Sequence, residues 1–101
     1  MPSVKKYLKE AENLKARKEL SKEDKLAFLD AQIEGFQKQA YRFEVDIEIA
    51  KRYIAVGAEI GGEEAYTETG ENKIVEAVQN LRSIVLSIDK LLIIKEELEK
   101  E

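Results

Sequence analysis

The chain contains no cysteine, no histidine and no tryptophan, and only one proline and one methionine. The first absence excludes disulfides, thiolate metal sites and cysteine nucleophiles. The second removes the commonest general base, the commonest zinc and iron ligand, and the helical Glu-x-x-His signature of di-metal proteins. Long apolar runs are also lacking. The greasiest stretch, Ile84 to Ile94, is broken by Ser87, Asp89 and Lys90 and falls far short of a membrane span. The opening MPSVKKYLKEAENLK is too charged for a signal peptide. Together these absences set the expectation of a soluble cytoplasmic protein, with no membrane partner, no cofactor, no metal and no small-molecule substrate.

What is present is charge. Charged residues make up 38% of the 101 residues, yet 44% are hydrophobic, enough for a core in one small domain spanning 1–101. A net charge of −4 argues against a surface that grips nucleic acid or anionic lipid over its whole extent. Richness in Lys, Glu and Ile is also a composition found in thermophilic proteins.

Three helical segments are predicted. The first runs from a Ser3 N-cap to about residue 20, with Val4, Tyr7, Leu8, Ala11 and Leu14 as its apolar stripe. Lys18, Ser21 and Lys25 stand where that stripe would continue, so it ends. Ser21 with Asp24 three residues on reads as a capping box opening the second helix, over about 22–56.

Within that segment, Phe43-Glu-Val-Asp-Ile-Glu-Ile49 alternates apolar and acidic residues as a half-buried strand does. Leu26, Leu29, Ile33, Phe36, Ala40, Phe43, Ile47, Ala50 and Ile54, however, keep an unbroken 3, 4 spacing through the same residues. A strand would need a breaker before Phe43 and a hairpin turn at Lys51-Arg52, and neither is there. Helix is therefore expected, with helix–β-hairpin–helix as the alternative. The alternation then arises because Phe28, Ala31 and Gly35, followed by Val45, Ile49 and Val56, trace a second apolar stripe on the other side.

Residues 57–72, GAEIGGEEAYTETGEN, hold four of the five glycines and five glutamates without a basic residue, and read as a flexible acidic loop. The third helix is expected over about 73–99. Ile74, Val78, Leu81, Val85, Ile88 and Leu92 form its main stripe, Ala77, Ile84, Leu91 and Leu98 widen it, and Leu86 and Ile93 sit further round. The fold expected is all-α: an antiparallel three-helix arrangement of one short and two long helices, the first folding back at Ser21 onto Phe28, Ala31 and Gly35. Nothing in the chain then covers Val45, Ile49 and Val56. With Leu86 and Ile93, they are the candidate interface of a homodimer or higher helical oligomer.

Other candidate sites are weaker. On a strand, Glu44, Asp46 and Glu48 would share a face suited to a hard cation; on a helix they are a solvated edge. The glycine segment matches neither dinucleotide nor P-loop spacing, and Glu59, Glu63, Glu64 and Glu68 lack EF-hand spacing. The first 25 residues carry eight Lys and Arg against five Asp and Glu. Lys5, Lys6 and Lys9 are therefore the secondary candidates for nucleic acid, although pairs such as Lys6–Glu10 and Lys15–Glu19 suit an ordinary helix face. Tyr66, stranded among glutamates and threonines, is a candidate partner contact.

No pairing of carboxylate, Tyr, Ser or Lys suggests catalysis. The function expected is a non-catalytic structural or interaction protein, a scaffold or a subunit of a larger assembly. The alternatives are a nucleic-acid accessory factor using its basic first helix, or a chaperone subunit. The last follows only from the strand reading, because helix–hairpin–helix resembles the layout of prefoldin subunits.

Overall fold

A computed structural model describes residues 3–14 and 19–101 as three α-helices: α1 (Val4–Asn13), α2 (Lys22–Ile60) and α3 (Glu63–Lys100). No strand forms among the described residues. The hairpin alternative fails for the reason its alternation could be doubted: the 3, 4 spacing carries α2 straight through 43–49. With it goes the layout that resembled prefoldin subunits.

The start of α2 follows from its sequence. The Ser21 hydroxyl accepts the Asp24 N–H at 3.1 Å, and Glu23 and Asp24 lie in the first turn, where the helix dipole favours negative charge. Every α2 residue of the predicted stripe, from Leu26 to Ile54, is buried or half-buried, and the stripe extends one step further to Gly57.

The expected acidic loop over 57–72 is instead helix on both sides of a two-residue turn at Gly61 and Gly62. Gly61 takes a left-handed conformation (φ 79°), and the Gly62 N–H donates to the Gly57 carbonyl at 3.1 Å, closing a Schellman motif. The other two glycines of the segment are seam residues. A Cβ on Gly57 would run into the Cβ and ring of Tyr66, and one on Gly70 would lie 2.7 Å from Ile54 Cδ1 and 3.2 Å from the Ala50 carbonyl. Glycine here buys close approach of two backbones. The glutamates between them are good helix formers and sit outside.

α2 and α3 contact one another and run in opposite directions, Gly57 meeting Tyr66, Ile54 meeting Gly70 and Asp30 meeting Lys95. In α3 the side turned to α2 is Gly70, Ile74, Ala77, Leu81, Ile84, Ile88, Leu91, Lys95 and Leu98, spaced 4, 3, 4, 3. Ala77, Ile84, Leu91 and Leu98, expected to widen the stripe, thus belong to the seam itself, whereas Val85 and Leu92 of the expected main stripe are exposed. Small seam residues (Ala50, Gly57, Gly70, Ala77) crowd the turn end, and the larger Leu29, Ile33 and Ile84 fill the other half.

α1 ends at Asn13 rather than near residue 20, its stripe finished once the Leu14 backbone leaves helical geometry (φ −92°, ψ 47°). It packs against neither α2 nor α3, so the expected fold-back onto Phe28, Ala31 and Gly35 is not formed. Among the described residues, nothing lies within 4 Å of a Cβ placed on Gly35. Helices of 39 and 38 residues are each close to 58 Å long at about 1.5 Å per residue, and the radius of gyration is 21.1 Å against about 13 Å for a compact domain of this length. The molecule is extended.

Gly57→Ala and Gly70→Ala should each lower stability by about 1–3 kcal/mol, because the overpacking at the seam outweighs the roughly 1 kcal/mol that alanine gains in helix propensity. Urea denaturation followed by circular dichroism checks this; a gain in stability at either position would mean that the seam is not packed this closely.

Candidate interaction surfaces

Two helices packed along one seam leave the rest of each helix to solvent, and here the uncovered sides are apolar. All five residues expected at an oligomer interface are exposed: Val45 (37%), Ile49 (58%), Val56 (45%), Leu86 (59%) and Ile93 (55%). They do not form one face. Val45, Leu86 and Ile93 stand midway between successive seam residues, on the outermost line of their helices. Ile49 and Val56 lie beside the seam instead, and Ile49 helps to line a groove with Phe43 and Tyr53 of α2 and Lys73, Glu76 and Asn80 of α3.

That groove marks one flank of the helix pair. Phe28, Gly35, Arg42, Ile49 and Val56 recur every seven residues along it on α2, and Tyr66, Lys73, Asn80, Ser87 and Ile94 do so on α3. Near the turn the flank is apolar through Ile49, Tyr53, Val56 and Ile60. At the far end a second apolar cleft is lined by Leu20, Phe28, Leu29, Ile94 and Leu98. Phe28, Ile94, Tyr53 and Ile60 are all exposed.

Tyr66 belongs to this flank rather than to a loop. Its ring lies 4.5 Å from that of Tyr53, tilted by 32°, and covers the surface that Gly57 leaves open. Its isolation among polar neighbours in sequence disappears once 57–72 is helical. The heptad spacing would have found it, since 67, 70 and 74 continue the α3 seam backwards past Tyr66.

The opposite flank carries Val75, Val85 and Leu92 of α3, all exposed. It is tied together at the end away from the turn by ion pairs. Lys95 Nζ lies 2.7 Å from Asp30 and 3.9 Å from Glu99, while Lys22 Nζ donates to the Glu99 carbonyl at 3.2 Å. The hydrogen bond and charge of Asp30, with a smaller contribution from Glu99, raise the Lys95 pKa above its ordinary 10.5.

The remaining candidates separate. Glu44 and Glu48 share one side of α2 while Asp46 points to another, Glu48 pairs with Lys51 at 3.1 Å, and no group of acids suited to a metal occurs among the described residues. Glu59, Glu63, Glu64 and Glu68 are exposed around the turn. On α1, Lys5, Lys6 and Lys9 are exposed opposite the stripe of Val4, Tyr7, Leu8 and Ala11, which is exposed as well. The expected Lys6–Glu10 ion pair is not formed, and Lys15 of the Lys15–Glu19 pair lies outside the described residues; Glu19 is 3.0 Å from Lys25.

No family model, curated protein or solved structure matches this chain. Among the described residues, no helix is long and apolar enough to cross a membrane.

Because the Lys95 pKa is raised on folding, its pairing with Asp30 stabilises the fold fully below the ordinary lysine value and is lost as pH climbs through the raised one. The difference in thermal midpoint between the wild type and Asp30→Asn should accordingly be largest near neutrality and shrink above about pH 10.5. An undiminished difference at pH 11.5 would show that the ion pair is not its source.

Proposed function

We propose that this chain is a non-catalytic, self-associating helical protein that acts as a scaffold or as a subunit of a larger assembly. The observation that carries the reading is the pair of long helices whose outer sides remain apolar after they have packed on each other: Ile49, Val56, Leu86, Leu92 and Ile93 are all at least 45% exposed. Fully burying a side chain of this kind is worth about 1.5–3 kcal/mol. An extended pair with a thin core has most to gain from covering several at once. Charge supports association too, since the region before α2 is basic and the turn between α2 and α3 is acidic.

Sedimentation equilibrium should return a multiple of 11.5 kDa at micromolar concentration, and Ile49→Asp combined with Val56→Asp should shift the mass towards a single chain while helix content is kept. A wild-type mass of 11.5 kDa at about 100 µM, well above the usual range for specific oligomers, would overturn the reading.

A second reading rests on α1, which stands clear of the helix pair and presents Lys5, Lys6 and Lys9 on one side. A short basic helix free of other contacts can lie along phosphates. Reversing these three charges should abolish a salt-sensitive gel shift with duplex or single-stranded probes if nucleic acid is the partner. Equal mobility with and without the wild-type protein would dismiss that reading.

A further inference from the structure

We propose that the partner on the Tyr53 flank is a second copy of this chain, related by a two-fold axis and running antiparallel, with Arg42 of each copy against Asp46 of the other. This rests on the self-association proposed above and specifies its face and register.

The flank has two apolar patches and a polar middle. Ile49, Tyr53, Val56 and Ile60 lie near the turn, Phe28 and Ile94 lie near the other end, and Arg42 and Asp46 lie between them. Phe28 and Val56 are about 42 Å apart along α2 at 1.5 Å per residue. A single small partner would cover one patch. An antiparallel copy covers both, because the two-fold rotation exchanges the ends.

The register follows from charge. Placing Arg42 opposite Asp46 of the copy sets Phe28 opposite Ile60 and Gly35 opposite Tyr53. Gln32 and Gln39 then meet Val56 and Ile49, with their methylenes towards the apolar side chains. The contact of Ile54 with Gly70 places Asn80 level with the axis on α3, so the same rotation brings Tyr66 of one copy to Ile94 of the other. A parallel copy would instead set Arg42 and Asp46 against the uncharged Ser83 and Asn80, leaving both charges without a partner across the interface.

Gly35 is the feature this arrangement explains. A glycine inside a helix costs about 1 kcal/mol relative to alanine, and among the described residues of one chain nothing lies within 4 Å of the position its side chain would take. Opposite a tyrosine of the second copy, it leaves room for the ring.

The test uses sedimentation equilibrium with circular dichroism on full-length variants. Arg42→Glu and Asp46→Lys should each raise the dimer dissociation constant about tenfold or more, and the double variant should recover most of the loss. Gly35→Leu should weaken the dimer while the single chain keeps or gains helix, a combination that a purely intrachain role for Gly35 would not give. If the wild type associates but the charge reversals are silent, or the double variant fails to rescue, this interface is wrong and self-association through another face stands. A wild type that remains at 11.5 kDa overturns both.

Discussion

The constraint on which this structure depends is the close approach of α2 and α3 beside their turn. Gly57 and Gly70 have no side chain because Tyr66 and Ile54 occupy the space one would need. Gly61 and Gly62 reverse the chain within two residues, which holds the seams of the two helices in register from their first turns. From there each seam proceeds by alternating steps of three and four residues, so that one line of side chains on each helix stays against the other helix for its whole length.

A seam of this kind has a consequence for everything outside it. Two helices can each hide only one side, and among the described residues the buried hydrophobic ones number five: Leu29, Ile33, Ala50, Ala77 and Ile84. Two of these are alanines, so the core is too thin to account for the apolar content of the chain. The remainder lies on two flanks and two outer lines, and the flank through Phe28, Ile49 and Val56 has its apolar patches at opposite ends. The apolar ends and charged centre are the pattern on which the proposed antiparallel pairing rests. The opposite flank, with Val75, Val85 and Leu92 beside the Asp30–Lys95–Glu99 ion pairs, is a separate surface on the same pair.

How far this was legible in the sequence varied with the signal available. In α2 the apolar stripe from Leu26 to Ile54 could be read position by position, because no second line of residues competes with it in length, and it overrode the strand-like alternation at 43–49. In α3 the competing lines are equally greasy. Val78, Val85 and Leu92 stand one residue after Ala77, Ile84 and Leu91, and only packing on α2 distinguishes them. Residues 57–72 were misread because glycine has two uses: it marks flexible linkers by composition, and it also permits close helix packing. The second use is visible only if the three-four spacing is carried through Gly57 and Gly70. The candidate surface residues are legible as apolar positions off the main stripe, but their division between one flank and the outer lines needs the packed seam.

Association and folding should be coupled here, because covering the flanks adds to a core that is thin on its own, and a folded oligomer gains stability by mass action as concentration rises. The most direct test is thermal unfolding by circular dichroism over a hundredfold range of protein concentration. The account predicts that the midpoint rises steadily with concentration. A midpoint that stays constant across that range would contradict it, by showing a single chain that needs no copy of itself to be as stable as it is.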